Sequence, residues 1–131
     1  MKGSGKVRRA LALGTAIGAL TLSVSLGGAS AHTATLQNSL VFDPVATGPT
    51  TISYNGQVFG PAPCRSGRLV DIYVGGVLFT TVTTNPDGTF TASGPLPPKG
   101  TMATAVARKK VQRSRRHKHK CPQKMETKKA S

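Results

Sequence analysis

Acidic side chains are what this chain most lacks. Of its 131 residues, four are acidic (Asp43, Asp71, Asp87 and Glu126), against 18 Lys and Arg, for a formal charge of +14. That scarcity nearly excludes acidic metal clusters and multi-carboxylate active sites, which need several carboxylates converging on one point. Trp is absent, aromatics make up 5%, and cysteine is limited to Cys64 and Cys121. Histidine occurs at 32, 117 and 119 alone. Helix signals are also missing, so a phosphate loop leading into a helix has no place here. A chain of this length holds one domain.

What is present begins with a leader. Lys2, Lys6, Arg8 and Arg9 precede an uncharged apolar stretch, Ala10 to Leu26, and then Gly27-Gly28-Ala29-Ser30-Ala31. A positive start, an apolar middle and small residues at Ala29 and Ala31 describe a secretory signal peptide over residues 1–31, cleaved between Ala31 and His32. The stretch is short for a span of about 20 residues and is interrupted by Gly14 and Gly18, which argues against an anchor. Arg8-Arg9 fits the twin-arginine pattern poorly. The mature chain, residues 32–131, has no second apolar span, so the expected product is released and extracellular, with no membrane span.

Charge within that chain is uneven. Residues 32–107 hold Arg65, Arg68 and Lys99 against Asp43, Asp71 and Asp87, whereas 108–131 carry eleven Lys or Arg and one acid. The division is therefore a β-sandwich core over 32–107 and a basic C-terminal segment over 108–131. The densest part runs from Arg108 to Lys120, and self-repulsion in such a run predicts that part of it is a mobile loop.

β-Branched residues, alternation and turn residues dominate the mature chain. The expected strands cover Leu36 to Phe42, Thr50 to Phe59 with Asn55-Gly56 as a hairpin turn, Arg68 to Val74, Val77 to Thr84, Gly88 to Ser93, and Thr101 to Val111. Residues 121–129 are a candidate final edge strand. In the third segment Val70, Ile72 and Val74 face one way, Asp71 and Tyr73 the other. Gly75-Gly76 and Asn85-Pro86-Asp87-Gly88 are expected turns, and Pro95, Pro97 and Pro98 bar a strand there. About seven short strands with frequent turns predict an all-β sandwich. Its core would be thin, rich in Ala and Thr, and in need of a covalent staple.

Two cysteines in an exported chain allow one disulfide, Cys64–Cys121. It would tie the far end of the basic run back to the sandwich. A competing metal reading exists, because His117, His119 and Cys121 alternate and share a face in an extended segment. Their cationic neighbours Arg115, Arg116, Lys118 and Lys120 oppose a dication. His32 offers another route. As a new N-terminus its amine and imidazole suit copper, with His117 or His119 as the further ligand. Copper carriers and lytic polysaccharide monooxygenases also begin with His on a β-sandwich, but this likeness rests on one residue.

Cys64-Arg65-Ser66-Gly67-Arg68-Leu69-Val70-Asp71-Ile72-Tyr73-Val74, with Thr83-Thr84-Asn85-Pro86-Asp87-Gly88-Thr89-Phe90 and Gly100-Thr101-Met102-Ala103, resembles the carboxypeptidase-regulatory-like modules of small secreted actinobacterial proteins. The resemblance covers about residues 56–121. It implies a prealbumin-like or Ig-like sandwich without catalytic residues or a cofactor, and names no ligand. Met102 stands where that family tends to have Tyr. Related sandwiches can carry a Lys–Asn crosslink, but no Lys lies between His32 and Pro98.

Catalysis finds no support in the pattern, because a nucleophile needs a His held rigidly beside it. Asp43 before Pro44 reads as a strand end, Asp71 as solvent-facing and Asp87 as a turn residue. Binding is better supported. Arg108, Lys109, Lys110, Arg113, Arg115, Arg116, Lys118 and Lys120 form a candidate contact for anionic cell-wall polymers or other extracellular polyanions, electrostatic and salt-sensitive. No aromatic is interleaved, so base stacking is not expected. A solvated loop that keeps the domain soluble, or a protein-interaction module using a sheet edge, are the alternatives.

Overall fold

The computed structural model describes residues 32–131. The leader, with Ala31 at its expected cleavage point, lies outside the described residues, as does the His32 side chain. Thr33–Ser131 pack as one unit.

Ten strands and one helical turn are found among the described residues: β1 His32–Thr35, β2 Ser39–Ala46, β3 Thr51–Phe59, α1 Ala62–Arg65, β4 Leu69–Val74, β5 Val77–Thr83, β6 Thr89–Pro95, β7 Met102–Ala107, β8 Lys110–Arg113, β9 His117–Cys121 and β10 Lys124–Lys129. Seven of them make the sandwich. A four-stranded sheet β10-β7-β4-β5 faces a three-stranded sheet β2-β3-β6. The remaining three, ordered β1-β9-β8, form a third sheet.

Large and small side chains divide between the two main sheets. β2, β3 and β6 bury Leu40, Phe42, Ile52, Tyr54, Val58 and Phe90. Opposite them β7 buries only alanines, Ala103, Ala105 and Ala107, beside Val70 and Ile72 of β4. Alanine on β7 is what leaves room for the stacked rings of Phe42 and Tyr54, whose centroids lie 6.3 Å apart. The alanine-rich stretch that looked like a thin core is thus half of a complementary one.

The turns follow from local chemistry. Gly75 and Gly76, both with positive φ (61° and 83°), close the β4–β5 hairpin in two residues. At Asn85–Gly88 the Gly88 amide donates to the Asn85 carbonyl at 2.8 Å. The Asp87 carboxylate accepts from the Thr89 amide and hydroxyl.

Several expectations are corrected. Asn55-Gly56 is not a turn but the middle of β3, and Gly56 is glycine because a Cβ there would overlap the Phe90 ring and the Val41 carbonyl. The strand expected from Leu36 begins instead at Ser39, as β2, and is preceded by β1; Leu36 lies between the two and donates its amide to the Lys120 carbonyl at 2.9 Å. Asp43 is not at a strand end but mid-strand in β2, an edge strand that tolerates Pro44. Pro95 closes β6, also an edge strand, and so costs no ladder bond. The long Thr101 to Val111 strand is two strands, β7 and β8, parted at Arg108-Lys109. One helical turn does form, at Ala62–Arg65, where prolines 61 and 63 suit a first turn. β10 pairs antiparallel with β7, Lys124 opposite Ala107 through Lys129 opposite Met102, so this end of the basic segment belongs to the sandwich.

Candidate functional site

Cys64 of α1 and Cys121 at the end of β9 form a disulfide, and both are fully buried. Beside it lies a residue whose role sequence reasoning missed. Arg68, 0% exposed, donates from Nε to the Arg108 carbonyl (2.6 Å), and from Nη1 to the Cys64 carbonyl (2.9 Å) and Asn38 Oδ1 (3.2 Å). Its Nη2 donates to the Pro122 carbonyl at 2.7 Å. One guanidinium thus joins α1, the approach to β2, the start of the basic segment and the residue after Cys121. These partners are all neutral oxygens. Burial lowers the Arg68 pKa. A Gly-Arg at the start of an alternating strand was the available signal, but it reads equally as a surface charge.

The disulfide and Arg68 together tie both ends of the basic run, most of which is paired in β8 and β9. β8 and β9 pair antiparallel, Lys110 opposite Cys121, Val111 opposite Lys120, Gln112 opposite His119 and Arg113 opposite Lys118. Ser114 and His117 exchange backbone hydrogen bonds, leaving Arg115-Arg116 at the tip. β9 is the central strand of its sheet, with β1 on its other side.

Period-two alternation then sorts the side chains. Lys110, Gln112, His117, His119 and Cys121 share one face. That face meets α1: Cys121 bonds to Cys64, the Lys110 ammonium donates to the Ser66 carbonyl at 2.7 Å, and Ala62, Pro63, Ser66, Lys110 and Gln112 line a common cleft. Val111, Arg113, Lys118 and Lys120 share the other. Arg113 and Lys120 are exposed and Lys118 is partly so. No acidic residue occurs between Arg108 and Cys121.

The expected contact set separates accordingly. Arg108 grips Asp71 with two hydrogen bonds of 2.8 Å, from Nε and Nη2. Asp71 is not solvent-facing as expected but 7% exposed, covered by Arg108 and by the Thr81 hydroxyl at 2.6 Å. Hydrogen bonding to Arg108 holds the Asp71 carboxyl below its usual range, with Thr81 and the Arg108 charge adding to that and burial opposing it. Lys110 is tied to α1, and burial, followed by the Arg68 charge, lowers its pKa. Lys109 is exposed between these two. Arg113, Arg115, Arg116, Lys118 and Lys120 make up the outward hairpin set.

The metal reading loses its sulfur, because Cys121 is in the disulfide. His117 and His119 stack with centroids 6.1 Å apart, yet among the described residues no group of three His, Cys, Asp or Glu is placed to hold a metal ion. Among the same residues no helix is long and apolar enough to cross a membrane. A groove of about 550 Å³ on the outer face of the four-stranded sheet is lined by Tyr73, Val106, Met125 and the Asp71–Arg108 pair. Comparison of the chain with known protein families, with characterised proteins and with solved structures finds no match.

Proposed function

We propose that this is an exported, non-catalytic β-sandwich protein whose basic hairpin binds extracellular polyanions, and that its sandwich is of the prealbumin-like, Ig-like kind that residues 56–121 resemble. One observation carries the reading: β8–β9 pairing sets Arg113, Lys118 and Lys120 on a single outward face, next to Arg115 and Arg116 at the tip, in a stretch without an acidic residue. Like charges placed directly across a strand pair are destabilising. Arg113 opposite Lys118 is therefore an arrangement that a bound anion relieves. Dense positive charge without stacking groups favours a contact made through the polymer's anions, weakly specific and salt-sensitive.

Binding of the purified chain to dextran sulfate tests this directly. The expected result is an affinity that falls linearly in log K against log salt, and a loss of at least tenfold on combining Arg113→Gln, Lys118→Gln and Lys120→Gln. Undiminished binding by that variant would move the contact elsewhere on the molecule.

A further inference from the structure

We infer that the polyanion is a phosphodiester chain, bound in extended form along β9; this rests on the polyanion reading above and narrows it. β9 is flanked by β1 and β8, so its backbone is fixed on both sides. Lys118 and Lys120 stand on the same face two residues apart, and the same period in sequence reaches Arg116 at the tip. Alternate residues on a strand repeat every ~6.6–6.8 Å. Two residues of extended peptide and one repeat of a sugar-phosphate or glycerol-phosphate backbone contain the same number of backbone bonds. The two chains run in step when extended, so successive phosphates meet successive cations of the row.

Other polyanions fall out of step. A 1,4-linked uronate polymer has five bonds from one charged unit to the next by the shortest route round its ring, and so falls short of the lysine repeat. Inorganic polyphosphate sets its charges closer and undershoots it. Across the hairpin, Arg113 faces Lys118, so one phosphate is met from both strands. Arg115 and Arg116 add charge at the end of the row. No Phe, Tyr or Trp lies between Arg108 and Lys120, so recognition stops at the backbone and bases contribute nothing.

The test compares four polymers at equal charge concentration and fixed salt: poly(glycerol phosphate), an abasic deoxyribose-phosphate oligomer, polygalacturonate and inorganic polyphosphate. Both phosphodiesters are expected to bind at least tenfold more tightly than the other two. Lys118→Thr with Lys120→Thr, which keeps β-forming residues on the strand, is expected to abolish the preference. With five cations engaged, log K should fall against log salt with a slope of about −3.5, and of about −2 in that variant. A preference for poly(glycerol phosphate) over the abasic oligomer supports the inference with a wall polymer as the source, and the reverse order supports it with extracellular nucleic acid. Tighter binding of oligothymidylate than of the abasic oligomer overturns backbone-only recognition. Equal affinity for all four polymers overturns the inference and leaves polyanion binding standing. Binding to none of them, nor to dextran sulfate, removes both.

Discussion

Arg68 gives the sharpest stability prediction. Arg68→Ala removes the donor to three backbone carbonyls and the Asn38 side-chain oxygen in a site closed to solvent. Each buried acceptor left unpaired costs about 1–3 kcal/mol. Truncation also removes a desolvated charge, whose own burial was unfavourable, and this offsets part of the loss. With four such acceptors and that offset, we expect a net loss of about 3–5 kcal/mol. For a domain of this size it lowers Tm by about 12 °C or more. Arg68→Lys keeps the charge but offers one compact ammonium in place of a fork, and should recover about half of the loss. The assay is urea unfolding with the disulfide intact, comparing midpoints at constant m. A loss below about 1 kcal/mol for Arg68→Ala would show that the four acceptors find other partners, and the linking role of Arg68 would be wrong.

Other perturbations have defined outcomes. Cys64→Ser with Cys121→Ser opens a loop with a sequence separation of 57 and should cost about 4 kcal/mol in unfolding experiments by the loop-closure estimate. Gly56→Ala forces a methyl against the Phe90 ring and the Val41 carbonyl and should cost about 1–3 kcal/mol in thermal melts. Asp71 has a depressed folded-state pKa, so its stabilising contribution is complete above the unfolded value of about 3.9 and is lost as pH falls through the folded value. Asp71→Asn should therefore flatten the fall of Tm on acidification below about pH 4.

Much of the sandwich was legible because its determinants are local. The alternation in Leu69–Val74, the paired glycines at 75 and 76 and the Asn85–Gly88 turn act within a few residues, and two cysteines admit one pairing. What escaped depends on distant partners. Asn55-Gly56 carries the composition of a turn, but Phe90 across the sheet sets its role. Asp71 looked solvated until Arg108, 37 positions on, folded over it. Part of the basic run was expected to be a mobile loop from its charge alone; its strand pairing rests on the disulfide and Arg68 at its ends and on β1 beside β9. Alternation within the hairpin was present in the sequence as Lys118-His119-Lys120, but the direction of each face depends on Cys121 being anchored to α1.

The outward face of the β8–β9 hairpin is the binding surface we propose. A residue-resolved NMR titration of the purified chain with dextran sulfate tests it most directly. Salt-reversible amide shifts are expected at Arg113, Arg115, Arg116, Lys118 and Lys120, with β5 and the Asp71–Arg108 pair unmoved. Shifts centred on the groove at Tyr73 and Met125, or none in the hairpin at saturating polymer, would contradict it.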